Sequence, residues 1–211
     1  MNRNRFFSLL SGKFHLEFQV KYALSLYFYG DSNDWLKFYI MTHEDEYQRL
    51  SFTAKRFIAL RMSIECLLKS ILISLSKKNE KAEDIYKVAR KSSHKLEILV
   101  GEAQNRSSNK YKICKKDTLE RLKQMDALSI NIRYDVDFKV KYKKQTVPEL
   151  LMEKGPVFDT VLSDNYHKLL ISDMQYMSDK LKIIQNKRFK RHMSHRASRM
   201  DEIEDYIKQI I

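Results

Sequence analysis

The sequence predicts an all-α fold, a helical bundle of about five or six helices in a single domain over residues 1–211. Three observations carry this. Turn formers are scarce, with four Gly and two Pro among 211 residues. A sandwich or barrel needs a turn signal every ~8–12 residues, and a doubly wound sheet usually carries Gly-rich turns. Apolar residues instead recur at helical spacing over stretches free of both breakers, such as Asp45 to Leu75. Hydrophobic residues make up 43% of the chain and charged residues 32%, enough apolar material for a core and too much for a globally disordered chain.

The elements are taken in chain order. Phe14 to Tyr29 satisfies both periods, with Phe14, Leu16, Phe18 and Val20 alternating and Leu16, Val20, Leu24 and Tyr27 at helical spacing. No hairpin partner lies nearby, so a helix is expected, ended by Gly30-Asp31-Ser32-Asn33-Asp34. Asp45 to Leu75 carries apolar residues on more than one stripe, the mark of a helix packed on several sides. Ala82 to Arg90 reads as a short helix. Ser93, three residues before Leu96, supplies an ordinary helix start, with Leu96, Leu99 and Val100 behind it. Asp117 to Ile130 is amphipathic through Leu119, Leu122, Met125, Leu128 and Ile130. Phe138 to Tyr142 alternates, so a small β arm is admitted near residues 138–143. Pro148 and Gly155-Pro156 punctuate the next segment. A long helix is expected from about Asp164 to Arg191, and a final amphipathic segment from Asp201 to Ile211. No fixed-period repeat and no low-complexity linker divides the chain.

Two cysteines, Cys66 and Cys114, cannot make a disulfide framework or a Cys-only zinc site. Cys66 lies in an apolar run and reads as a small buried hydrophobe. A reducing, cytoplasmic setting is the expectation. Arg3 and Arg5 before Phe6-Phe7 imitate a secretory leader, but Lys13, His15, Glu17 and Lys21 interrupt the apolar run and no small-residue cleavage site comes after it. No stretch reaches the ~18 uncharged apolar residues of a spanning helix, so no membrane partner is expected.

The chain offers no Gly-rich nucleotide loop, no paired-histidine zinc helix, no calcium loop and no nucleophile elbow. His43-Glu44-Asp45-Glu46 looks like an acidic helix start rather than a metal site, and neither metal nor cofactor is expected. What stands out is charge. Forty Lys and Arg against 27 Asp and Glu leave +13. The excess concentrates in Lys77–Lys95, Arg106–Lys123 and Lys180–Arg199. The last holds eight cations in twenty residues, with no acid between Asp179 and Asp201. The helix dipole favours cations at a C-terminus, but eight exceed that need. A phosphate backbone fits the surplus best, and an acidic protein fits it second.

Cleavage of RNA without a metal needs a group to deprotonate the 2′-hydroxyl and a cation to stabilise the phosphorane. His and Arg supply these. Arg188 and His195 are separated by six residues, and Arg90 and His94 form a second pair expected one turn apart on one helix face. Glu65 and Lys69 are spaced for an ordinary helical ion pair, and His94 is placed to help cap a helix.

Three segments are similar to the HEPN (higher eukaryotes and prokaryotes nucleotide-binding) superfamily of helical bundles. They are Arg61-Met62-Ser63-Ile64-Glu65-Cys66-Leu67-Leu68-Lys69-Ser70-Ile71-Leu72, then His94-Lys95-Leu96-Glu97-Ile98-Leu99, then Ile132-Arg133-Tyr134-Asp135, together covering roughly residues 50–138. Many such proteins are metal-independent endoribonucleases of toxin–antitoxin, phage-defence and CRISPR systems. Their usual signature is Arg, four to six residues, then His, often with a polar residue after the Arg. Here Arg188 and His195 match the spacing, although Phe189 comes directly after the Arg and the pair lies outside the matched region. The resemblance implies a homodimer with both copies of the pair at the interface, and admits an antitoxin partner. The expectation is therefore an RNA-binding protein. If it cleaves, His195 is the base and Arg188 the phosphate clamp, and Lys187, Lys190, Arg191, His192, Arg196 and Arg199 hold the nucleic acid. The alternative is a non-catalytic helical interaction module whose basic face binds an acidic partner or nucleic acid.

Overall fold

The computed structural model describes residues 3–44, 50–91, 94–108, 110–127, 163–190 and 199–211. Over these residues the chain is all-α, with seven helices and no strand. They are α1 (Arg3–Glu44), α2 (Leu50–Ser74), α3 (Ala82–Lys91), α4 (Leu96–Arg106), α5 (Lys116–Ala127), α6 (Asp164–Phe189) and α7 (Met200–Ile210). The β arm considered near 138–143 lies outside the described residues.

α2 is the axis of the bundle because its apolar residues run all round it. Phe57, Leu60, Ile64, Leu67, Leu68, Ile71 and Leu72 are each at most 1% exposed. It packs against α1 along its length, and against α3, α4 and α6. Small hydroxyls let α1 and α2 approach closely. Ser25 Oγ meets Ser70 Oγ at 3.0 Å and Ser74 Oγ at 2.7 Å, and Ser70 Oγ donates to the Ser25 carbonyl at 2.7 Å. Every hydroxyl in this dry seam is thus partnered, as burial requires. The tail helix α7 buries Ile203 and Ile207 against α1 and α3, so its apolar side is consumed within the chain.

The break expected at residues 30–34 is absent. α1 runs straight through Gly30, where an added Cβ would meet nothing within 4 Å and φ is not left-handed. A helical Gly costs about 1 kcal/mol. Contacts made by the next three turns of α1 offset it. Ser32 Oγ donates to the Ser63 carbonyl at 2.8 Å, and Ser63 Oγ donates to the Ser32 carbonyl at 2.6 Å. Tyr39, 3% exposed, bonds His167 Nδ1 at 3.1 Å. Tertiary pairing with α2 and α6 overrides local turn chemistry.

α4 starts at Leu96 without a cap from its own segment, since Lys95 occupies the cap position with no side-chain bond. Asp126 at the end of α5 caps it instead, accepting from Leu96 N at 3.1 Å and Glu97 N at 2.9 Å. Arg61 of α2 holds that carboxylate at 2.7 Å and donates to the Met125 and His94 carbonyls. One buried arginine therefore locks three elements together.

Candidate nucleic-acid interface

Two of the basic stretches meet in space, and tyrosines join them. The loop after α4 carries Lys110, Tyr111, Lys112 and Lys115, and α5 begins at Lys116. α6 passes beside it with Tyr176, Lys180 and Lys187. Lys110 and Lys187 place their ammonium groups 5.9 and 5.6 Å from the Tyr111 ring centroid. Lys115 and Lys180 lie 5.3 and 4.8 Å from that of Tyr176. Tyr176 also donates its hydroxyl hydrogen to the Lys112 carbonyl at 3.2 Å, tying the loop to α6. Both rings are partly exposed, and Lys110, Lys112, Lys115, Lys116 and Lys187 are exposed. None of these lysines forms an ion pair among the described residues. Each ring with its ammonium neighbours gathers, within 6 Å, an aromatic side chain and two cations, the two kinds of group that engage the bases and phosphates of a nucleic acid.

The expected site residues fare differently. Lys187 belongs to this face, and Lys190 is exposed at the end of α6. Arg188 is committed to the backbone of α2. Its partly buried guanidinium donates to the Ser74 carbonyl at 2.9 Å and the Ser76 carbonyl at 2.6 Å, closing the C-terminal end of α2. Burial holds its pKa below the usual arginine value, with Tyr111 and Glu80 pulling it back up. Arg199 turns onto Glu202 at 2.7 Å. Arg191, His192, His195 and Arg196 lie outside the described residues. In the remaining basic stretch Lys87 pairs with Glu83 at 2.5 Å, and Arg90 covers the Tyr86 ring at 5.8 Å. Sequence reading named the lysine stretches but not Tyr111 and Tyr176. The Lys110-Tyr111-Lys112 triplet was the available signal.

A second constellation surrounds Glu65. Its carboxylate is 1% exposed and receives Lys69 Nζ at 2.6 Å, the helical pair the spacing predicts. It also receives His94 Nδ1, at 3.0 Å to one oxygen and 2.9 Å to the other. Burial raises the Glu65 pKa, but Lys69 and His94 more than reverse this and hold it below the ordinary 4.5. An ionised carboxylate only accepts, so His94 Nδ1 carries the hydrogen. The His94 side chain is 41% exposed. His94 does not share a helix face with Arg90, because α3 has ended at Lys91 and His94 sits in a turn at φ 66. That left-handed conformation is uncommon for a residue with a Cβ and costs about 1–3 kcal/mol. The bonds from Arg61 and to Glu65 hold it. His94 therefore braces a carboxylate rather than capping α4.

No family model, curated protein or solved structure matches the chain. The reading of the site rests on its own chemistry. Among the described residues no His, Cys, Asp and Glu cluster is arranged to hold a metal ion, and no helix is long and apolar enough to cross a membrane. Cys66 is buried, and burial, with the Glu65 charge beside it, pushes its thiol up to about 12. It is a packing residue, as its sequence setting suggests, and not a nucleophile.

Proposed function

We propose that the protein binds single-stranded RNA through the lysine–tyrosine face built by residues 110–116 and α6. The observation that carries this is the pair of tyrosine rings, each flanked by two lysines contributed by both elements. A merely solvated basic surface has no need of rings between its cations, whereas single strands are held by alternating stacking and phosphate contacts. The net charge of +13 and the HEPN resemblance of residues 50–138 support the same polyanion. Fluorescence anisotropy of a labelled RNA oligonucleotide across a salt series tests it. The triple change Lys112→Gln, Lys115→Gln, Lys187→Gln is expected to flatten the log–log salt slope by about 2, from ~0.7 per phosphate contact on single strands. Tyr111→Ala is expected to cost about tenfold or more in affinity. Unchanged affinity and slope in both would refute the face.

A second reading concerns cleavage, and the Glu65–His94 pair favours it. A partly exposed imidazole oriented by a buried carboxylate is the arrangement of a general base. In this reading His94 removes the 2′-hydroxyl proton, the oxygen attacks phosphorus, and the P–O5′ bond breaks as its oxygen takes a proton from solvent water, leaving a 2′,3′-cyclic phosphate. Labelled RNA incubated in EDTA should then be cut by the wild type and not by His94→Ala, with the latter still folded by circular dichroism. Intact RNA with the wild-type protein rules this reading out and leaves binding untouched.

A further inference from the structure

The lysine–tyrosine face continues into a groove whose apolar walls the stacking and phosphate contacts leave unused. It lies between α4 and the start of α5, has a volume of about 650 Å³, and is walled by Val100, Gly101, Cys114 and Leu119. That size falls in the range of ordinary ligand pockets. Lys112, Lys115 and Lys116 stand along one rim. The same loop thus serves the tyrosine face and the groove. The groove's acid, Glu97, is approached by Lys123 at 3.7 Å, so it does not offset the three rim cations.

Gly101 forms part of the groove lining. It is helical and exposed, and a Cβ built there would meet nothing within 4 Å. A side chain added at this position therefore has room without displacing a neighbour, and replacing a mid-helix Gly gains about 1 kcal/mol in helix propensity.

We infer that this groove receives one unstacked base of the bound strand, with its flanking phosphates on Lys112, Lys115 and Lys116. The inference rests on the RNA-binding reading and sharpens it. An apolar lining suits the face of a base, and a cationic rim suits the phosphates on either side. A base inside a duplex cannot leave its stack without paying unpairing energy, so the groove commits the protein to single strands or to flipped-out loop nucleotides.

The test fills the groove without harming the fold. Gly101→Leu places a side chain in the open space and improves helix propensity, while Gly101→Ala improves propensity and leaves room. Affinities are measured by anisotropy for an RNA of about eight nucleotides, within the usual site size, and for the same sugar–phosphate strand lacking its bases. Gly101→Leu is expected to weaken the intact strand about tenfold, the low end of one lost base contact. It should leave the abasic strand unchanged, and Gly101→Ala should bind both as the wild type does. Wild-type affinity of Gly101→Leu for the intact strand overturns the inference, as does an equal loss on both strands, and the lysine–tyrosine face then still stands. A wild-type protein that binds neither strand overturns the face and the groove together.

Discussion

At the scale of single residues, the Glu65 carboxylate shows how burial and charge partners divide the work. Desolvation alone pushes its pKa up, yet Lys69 at 2.6 Å and His94 at 2.9 Å bring it below 4.5. This fixes the sign of the pH effect. A carboxyl with a depressed folded-state pKa contributes stability above its unfolded value of about 4.5 and loses it as pH falls through the folded value. Glu65→Gln is expected to lower stability at pH 7 by about 3 kcal/mol, because it strips a charge from a buried pair. It should also flatten the decline below pH 4.5, which urea midpoints measured between about pH 3 and 7 will show. A decline as steep as the wild type's would mean that other carboxylates carry the acid sensitivity. The pair Glu65–Lys69 was readable from a spacing of four. His94 was not, because its reach to Glu65 depends on a left-handed backbone turn that a non-glycine sequence does not announce.

At the scale of elements, Arg188 is a fastener. Its two donors go to the Ser74 and Ser76 carbonyls, orphaned where α2 ends, and so bind α6 to the central helix. Hydrogen bonds from a charged donor are worth about 1.5–3 kcal/mol each, and unpaired carbonyls add to the cost. Arg188→Ala should therefore lose about 3–5 kcal/mol and lower the thermal midpoint by about 6–15 °C. Its affinity for RNA below that midpoint should stay within about twofold of wild type, since the lysine–tyrosine face does not include it. A large affinity loss with an unchanged midpoint would restore Arg188 as a phosphate contact. Asp126 makes the same point about elements. Its carboxylate caps a helix thirty residues away in sequence, so the helix start expected at Ser93 is satisfied from another element.

At the scale of the molecule, charge is sorted by whether it has a partner. Arg61, Arg106 and Arg121 lie in ion pairs that cross between elements, with Asp126, Glu80 and Asp173. Lys110, Lys112, Lys115, Lys116 and Lys187 remain exposed around two rings. These three arginines build and these five lysines face outward. Their chemistry explains this, since a planar fork satisfies several acceptors at once and an ammonium on a long stem is better left in water. The net charge alone overstates the surface available to a polyanion, because these arginines are already committed.

Helical class, the central apolar helix and its neighbours, the burial of Cys66 and the basic excess all came from composition and periodicity, because each depends on interactions a few residues apart or on sums over the chain. The continuity of α1 through Gly30, the Asp126 cap, the Glu65–His94 contact and the meeting of Tyr111 with Lys187 were decided in three dimensions. Each pairs groups far apart in the chain, and only packing around α2 sets which of them come within reach.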